Sequence, residues 1–199
     1  SSAASDVYKR QLQDEEPQRQ QIVVSRSFGT EIESHEDLAQ AVATFGQRAT
    51  EKLRARQLKA QGVWVFLHTN PFGATRQYHP SKAFRLLAPT SDSREILSVV
   101  QALTKAMYRP NFRWKKAGVG LLDLTDQTVQ QGDLFAQVSN PKANALMQVM
   151  DKANTKFGRG SIGFGSAAVA PNSAAKWAMR QGHLSPAYTT RWEAILRAR

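Results

Sequence analysis

The order of strand-like and helix-like patterns between residues 21 and 126 constrains the fold of this chain more than any other feature. β-Branched and aromatic runs predict strands there, and apolar residues at three- to four-residue spacing predict helices. These patterns follow one another as strand, helix, strand, strand, helix and strand. A chain with this order is expected to form a four-stranded sheet with both helices on one face.

Capping and turn residues bound the individual elements. Ser34, with Asp37 three residues later, forms a capping box that begins the first helix, predicted over about residues 35–57. Residues 90–92 can cap the second helix, and Pro110 ends it. The four predicted strands cover residues 21–29, 63–67, 82–88 and 113–124.

The remaining residues predict connecting segments and a small C-terminal unit. Residues 1–20 are polar without periodicity, which predicts a linker. Residues 127–140 are polar and Gln-rich, which predicts a tether, and Pro141 begins a further helical pattern. The chain is therefore predicted to be α+β: a ferredoxin-like βαββαβ domain over residues 21–126, a tether, and a small, mostly helical unit over residues 141–199.

The charge of the chain indicates an anionic partner. It has 199 residues with 27 Lys and Arg against 16 Asp and Glu, a net charge of +11. Nucleic acid is the first expectation and an anionic membrane surface the second. The absence of cysteine is typical of a reducing cytoplasm and excludes thiolate metal sites. The chain begins with Ser1 and has no methionine before Met107, which predicts a fragment or a processed product.

No arrangement of residues along the sequence indicates catalysis. Asp123 and Asp126 follow a strand and are interpreted as solvated turn residues rather than metal ligands. Gly158, Gly160 and Gly163 fit the pattern GxGxxG, but they follow a helix, so a helix C-cap and a turn are expected instead of a nucleotide site. The histidines lack metal-binding spacing and are expected to have structural or surface roles: His35, His68, His79 and His183.

Basic and hydroxyl side chains on three of the predicted strands are candidates for binding phosphate. An open sheet face that presents such groups binds DNA without reading its sequence. Neighbouring residues of a strand point to opposite faces, so Lys115 and Lys116 cannot both lie on that face. For the same reason either Arg26 lies at a bulge or strand end, or Ser25 and Ser27 make the contacts. The candidates are Ser25, Arg26, Ser27, Lys82, Arg85, Lys115 and Lys116.

A second candidate site lies in the tether. Leu134 and Phe135 are adjacent large apolar residues in a polar segment, and Gln131 precedes them. Such a pair either inserts into a hydrophobic pocket of a partner, with Gln131 supplying an orienting hydrogen bond, or packs back onto the sheet. The residues alone leave both interpretations open.

Four separated segments resemble one known family. They are residues 21–29 (QIVVSRSFG), 116–119 (KAGV), 145–151 (ALMQVMD) and 184–192 (LSPAYTTRW). In this order they closely resemble the C-terminal half of the UmuC family, the catalytic subunits of DNA polymerase V within the Y-family of translesion DNA polymerases. The resemblance runs from about Leu12 to the C-terminus. Residues 1–11 do not share it and are candidates for vector-derived or artefactual sequence.

The resemblance implies a role for each part of the chain. Residues 21–126 would be the little finger domain, which holds the DNA duplex near the active site of the polymerase. Gln131, Leu134 and Phe135 would form the motif that binds the bacterial β sliding clamp, and residues 141–199 resemble the family's small C-terminal domain. The catalytic carboxylates of the family lie in an N-terminal palm domain. The fragment itself is therefore expected to be non-catalytic and to need no cofactor, whereas the parent polymerase would need Mg²⁺.

The resemblance also implies partners and a setting. The family acts in the cytoplasm in the SOS response, in error-prone DNA repair and mutagenesis, and its accessory proteins are UmuD′ and RecA. The residues alone leave two other functions open. A small ferredoxin-like enzyme would have its site in the loop over residues 71–81, provided that Arg76 and His79 converge. A basic membrane-surface module is opposed by the lack of a strongly amphipathic basic helix.

Overall fold

The chain folds into a four-stranded antiparallel sheet and three helices in a computed structural model. The structure describes residues 21–73, 76–127, 141–158, 160–167 and 177–178. The predicted α+β class and the predicted element order are confirmed. The elements are β1 (Gln21–Ile32), α1 (His35–Ala55), β2 (Leu58–Thr69), β3 (Ser81–Thr90), α2 (Ser93–Met107), β4 (Trp114–Asp126) and α3 (Pro141–Phe157).

Helices α1 and α2 begin at the capping residues that the sequence predicts. The Ser34 hydroxyl accepts hydrogen bonds from the backbone N–H groups of Glu36 and Asp37, at 3.2 and 3.4 Å. The Asp92 carboxylate accepts a hydrogen bond from the backbone N–H of Arg94 at 2.8 Å. Each cap satisfies N–H groups that have no partner within the helix, and this fixes where the helix starts.

The strands lie in the order β1-β4-β2-β3, and every neighbouring pair is antiparallel. Strands β1 and β2 are therefore parallel to each other with β4 between them, and β3 and β4 are parallel with β2 between them. Each helix connects a parallel pair by crossing over the strand that separates it, which is the split βαβ arrangement. Strands β2 and β4 form the centre of the sheet, and β1 and β3 form its edges.

The core lies between the sheet and the layer formed by α1 and α2. Alternate residues of the central strands point into it and are fully buried, because each strand presents every second side chain to the same face. The helices contribute an apolar stripe with residues at three- to four-residue spacing. Buried members of the core include Val63, Val65, Leu67, Val119 and Leu121 from the sheet, and Leu38, Phe45, Leu53, Ile96 and Val100 from the helices.

The described C-terminal residues pack against helices α1 and α2. The Trp177 indole is 9% exposed and meets the Phe45 ring edge-on, with ring centroids 6.0 Å apart. The carboxylate of Asp151 on α3 forms an ion pair with Arg54 on α1. Ala167 is buried against the helix layer beside Leu97. Three contacts therefore connect the described C-terminal residues to the two helices.

Gly158 ends helix α3. Its φ angle is +101°, the left-handed conformation that glycine adopts without steric cost after the last residue of a helix. The expected helix C-cap is therefore confirmed. Among the helices that the structure describes, none is long and apolar enough to cross a membrane.

Candidate nucleic-acid interface

None of the described helices lies on one face of the sheet, and four of the predicted phosphate-binding residues belong to that face. We call this the open face and define it by the residues in register with Gly118 and Gly120 on β4. Ser25 pairs with Gly118, and Ser27 pairs with Lys116. Arg85 pairs with Gly62. Trp64 lies two residues further along β2, therefore on the same face, and its ring lies against Gly120. Paired residues of neighbouring strands share a face, so Ser25, Ser27, Arg85 and Lys116 lie on one surface.

The other three candidates have the opposite register. Arg26 pairs with buried Ala117, and Lys82 pairs with buried Val65, so both follow the helix-facing alternation, although both are exposed on edge strands. The Lys115 ammonium donates a hydrogen bond to the Phe28 carbonyl oxygen at 3.0 Å. The structure therefore does not bring all seven candidates together. It places four of them on the open face, and the other three alternate with the residues that face the helices.

A row of aromatic rings runs along β2 on the open face. The centroids of Trp64 and Phe66 are 5.0 Å apart, and those of Phe66 and His68 are also 5.0 Å apart. The row continues to His79, whose ring meets His68 edge-on at 5.1 Å. These side chains come from alternate positions of the strand, followed by a residue that precedes β3, so the register of the sheet produces the row.

Two glycines of β4 allow these rings to lie close to the strand backbone. A Cβ atom built on Gly118 would lie 2.5 Å from two ring atoms of Phe66 and 2.6 Å from the Cβ of Ser25. A Cβ atom built on Gly120 would lie 2.7 Å from the Trp64 ring. The space that side chains would fill on β4 is occupied instead by aromatic rings from β2. The middle of the open face is therefore shallow, without a tall side chain on β4 between Lys116 and Leu122.

The cations of the open face lie around the aromatic row, and the Asp123 carboxylate lies close to Gly62, with an oxygen 3.5 Å from a Cβ atom built there. The Lys116 ammonium lies 5.9 Å from the centroid of the Phe66 ring, in cation–π range. The Arg85 guanidinium donates a hydrogen bond to the Gln61 side-chain oxygen at 3.5 Å. Burial, and then the positive charges of His79 and Lys116, lower the pKa of the His68 imidazole below its usual value. Lys116 and Arg85 would attract anions to this surface.

The sequence-based interpretation missed the aromatic residues and the glycines of this face. Trp64 and Phe66 occupy alternate positions of the strand predicted over residues 63–67, and His68 continues this spacing one residue beyond it, which was the signal that could have identified them. Gly118 and Gly120 have the same two-residue spacing on β4. His68 and His79 were expected to have structural or surface roles. Their ring contact depends on the return of the chain before β3, which residue spacing does not indicate.

The loop that the enzyme alternative requires does not bring its two side chains together. The Arg76 guanidinium lies over the Phe112 ring, 6.0 Å from its centroid, whereas His79 contacts His68. Within the described part of the chain, no three His, Cys, Asp or Glu residues are grouped so that they could hold a metal ion. The geometry gives the enzyme alternative no support. The tether residues Gln131, Leu134 and Phe135 lie outside the described residues.

Comparison with known proteins identifies the family. Residues 19–134 match the impB/mucB/samB family C-terminal domain, and this chain belongs to that family. Residues 144–198 match a second family model, a domain of unknown function designated DUF4113. The resemblance to UmuC-type proteins that the four sequence segments indicate is confirmed.

Curated relatives share more than a third of their aligned residues with this chain. Protein UmuC of Salmonella typhimurium strain LT2 is 37% identical over 192 residues, an alignment that covers 95% of this chain and 44% of the relative. Protein SamB of Salmonella typhimurium is 39% identical over 186 residues, covering 92% of this chain and 43% of the relative. The chain thus spans less than half the length of these relatives.

A solved insertion ternary complex of Dbh DNA polymerase is 10% identical, with a TM-score of 0.45, over 56% of this chain and 31% of that chain.

Proposed function

We propose that this chain is the DNA-binding and sliding-clamp-docking portion of an error-prone translesion DNA polymerase of the SOS response. Membership of the impB/mucB/samB family supports the proposal. The observation that carries it is the open face of the sheet, where hydroxyl groups and cations lie side by side on a surface that no described element covers. The mechanism is to hold primer–template DNA near the active site of the parent enzyme.

The open face suits contacts to phosphate rather than to bases. Ser25 and Ser27 supply hydroxyl donors from β1, and Lys116 and Arg85 supply cations from β4 and β3. In the part of the chain that the structure describes, the shallow centre over Gly118 presents no projecting element that would enter a DNA groove and read base edges. Phosphate contacts of this kind position a duplex without regard to its sequence. This property suits a polymerase that accepts damaged templates.

The salt dependence of DNA binding tests this mechanism. If the open face contacts about four phosphates, the logarithm of the affinity for duplex primer–template DNA is expected to fall with log salt at a slope of about −3.6, because bound cations release condensed counterions. Titrations by fluorescence anisotropy at several salt concentrations measure the slope. An affinity that does not change with salt would contradict the proposal.

Two substitutions locate the contact surface in the same titrations. Lys116→Ala removes a cation from the open face and is expected to reduce the magnitude of the slope by about 0.9. Lys105→Ala is the matched control, because Lys105 is exposed on α2, in the helix layer. It should leave the slope unchanged. Equal effects of the two substitutions would show that binding follows net charge alone.

We further propose that Gln131, Leu134 and Phe135 dock the chain on the bacterial β sliding clamp. The double substitution Leu134→Ala and Phe135→Ala is expected to abolish clamp binding, because it removes the two apolar groups that would fill a pocket on the clamp. DNA binding should not change. Surface plasmon resonance on immobilised clamp measures the effect, with Val138→Ala as a control in the same tether. Unchanged clamp affinity of the double variant would contradict this assignment.

The wider setting follows from the same family. We infer that the parent polymerase carries its catalytic carboxylates and its Mg²⁺ in another part of the protein, that it works in the cytoplasm, and that UmuD′ and RecA are its accessory partners. The separate boundaries proposed for the little finger (residues 21–126), the tether (residues 127–140) and the C-terminal unit (residues 141–199) belong to this proposal.

A further inference from the structure

Four polar side chains gather at one end of the open face, where β1, β4 and β2 lie side by side. Lys116 on β4 pairs with Ser27 on one side and with His68 on the other, so these three residues form one row across the sheet. His79 closes the row, with its ring centroid 5.1 Å from that of His68. Ser27 and His79 are exposed, and Lys116 and His68 are partly exposed. All four side chains can donate hydrogen bonds to an anion when the histidines are protonated.

We propose that Ser27, His68, His79 and Lys116 form a phosphate-binding subsite that binds one backbone phosphate of DNA and takes up a proton when it does so. This inference rests on the proposed DNA-binding function and adds a chemical property to it. The bound group is a phosphodiester, whose negative charge would lie among one ammonium and two imidazole rings. Neither histidine belonged to the phosphate-binding set that the sequence predicts.

Proton uptake follows from the charges around His68. Burial and the positive charges of His79 and Lys116 lower the pKa of His68 in the unbound protein, which favours the neutral imidazole. A phosphate in the subsite offsets those positive charges and accepts a hydrogen bond from the imidazolium. The pKa of His68 therefore rises on binding. By linkage, binding strengthens as the pH falls towards the pKa of the unbound state.

The groups packed around His68 favour this response. Lys116 lies beside it on β4, and His79 lies beside it on the segment that leads to β3. The nearby carboxylate from β1, Glu31, accepts a hydrogen bond from the Asn70 side-chain amide at 3.2 Å. Phe66 packs against His68 along β2 and carries no charge. The two neighbours whose charges act on His68, His79 and Lys116, both lower its pKa.

The test compares DNA affinity at pH 7.5 and pH 6.0 at constant ionic strength, using the full chain and a fluorescent duplex primer–template. One linked proton strengthens binding by at most about tenfold per pH unit, so we expect about three- to tenfold tighter binding at pH 6.0. His68→Gln should reduce this difference to less than about twofold. His35→Gln is the matched control, since His35 lies at the start of α1 against Tyr108, and it should keep the full pH response.

The outcomes separate this inference from the function on which it rests. Salt-dependent binding that is equally strong at both pH values, or a pH response that survives His68→Gln, overturns the subsite and leaves the proposed function intact. If the chain binds no DNA at pH 7.5 and none at pH 6.0, the proposed function is overturned and the subsite with it. A measurement on the unsubstituted chain avoids any effect of substitution on folding: the NMR titration of the His68 ring should move to higher pH on addition of duplex. An unchanged titration overturns the subsite.

Discussion

Gly118 shows how one residue shapes the open face. Its missing side chain leaves space that the edge of the Phe66 ring fills, and Phe66 is only 6% exposed as a result. The Ser25 side chain approaches the same space from the neighbouring strand. A methyl group there would meet a ring on one side and a β-carbon on the other. Neither neighbour is the flexible end of a long side chain, so neither can move aside at low cost.

We expect Gly118→Ala to destabilise the chain by about 1–3 kcal/mol, the usual cost of inserting a group into a filled site. Urea unfolding followed by circular dichroism measures the free energy of unfolding. Gly165→Ala is the matched control, since a Cβ at Gly165 would have no atom within 4 Å, and it should change that free energy by less than about 0.5 kcal/mol. Equal stability of both variants would show that Phe66 does not depend on the glycine.

At the scale of elements, two ion pairs of similar length have different surroundings. Arg54 on α1 holds Asp151 on α3 through two hydrogen bonds of 2.6 and 2.7 Å, and its side chain is 9% exposed. Its guanidinium also donates to the Ser93 hydroxyl at 2.7 Å, so one arginine connects α1, α2 and α3. Arg113 and Glu33 form a 2.7 Å pair, but their side chains are 56% and 62% exposed. Water competes for the second pair far more than for the first.

Substitution of one partner in each pair should reveal this difference. Asp151→Ala is expected to lower the free energy of unfolding by about 2 kcal/mol, because it leaves the buried Arg54 without its charged acceptor. Glu33→Ala is expected to cost less than about 1 kcal/mol, as is typical of an exposed pair. Thermal and urea unfolding of both variants measure the two costs. A similar cost for each would show that the buried pair does not fasten α3 to α1.

Local signals predicted where helices α1 and α2 begin, but pairing decided how far the strands extend. Ser34 and Asp92 cap helices where the sequence places them, since a cap involves only residues within a few positions. Strand β2 begins at Leu58 instead of residue 63, because Leu58 and Lys59 pair with β4. The sequence did not predict this start, since the polar residues Lys59 and Gln61 interrupt the apolar pattern. Extension of this kind depends on a strand far away in the sequence.

At the scale of the whole molecule, the strand order β1-β4-β2-β3 decides what the candidate site contains. The sequence predicted an open face and, through alternation, the shared orientation of Ser25 and Ser27. It did not predict which strands are neighbours. Lys116 meets both Ser27 and His68 only because β4 lies between β1 and β2. The contribution of the histidines to the site is therefore a property of the assembled sheet.

The same strand order has a mechanical consequence. Strand β1 begins at Gln21, which pairs with Leu122 near the end of β4. The first and last strands are therefore adjacent, and the start of β1 lies beside the end of β4. Tension applied between Gln21 and Asp126 would separate the hydrogen bonds of this antiparallel pair one after another, as in a zipper, instead of loading them all at once. The sheet is therefore expected to resist such a pull weakly and to open first at this corner.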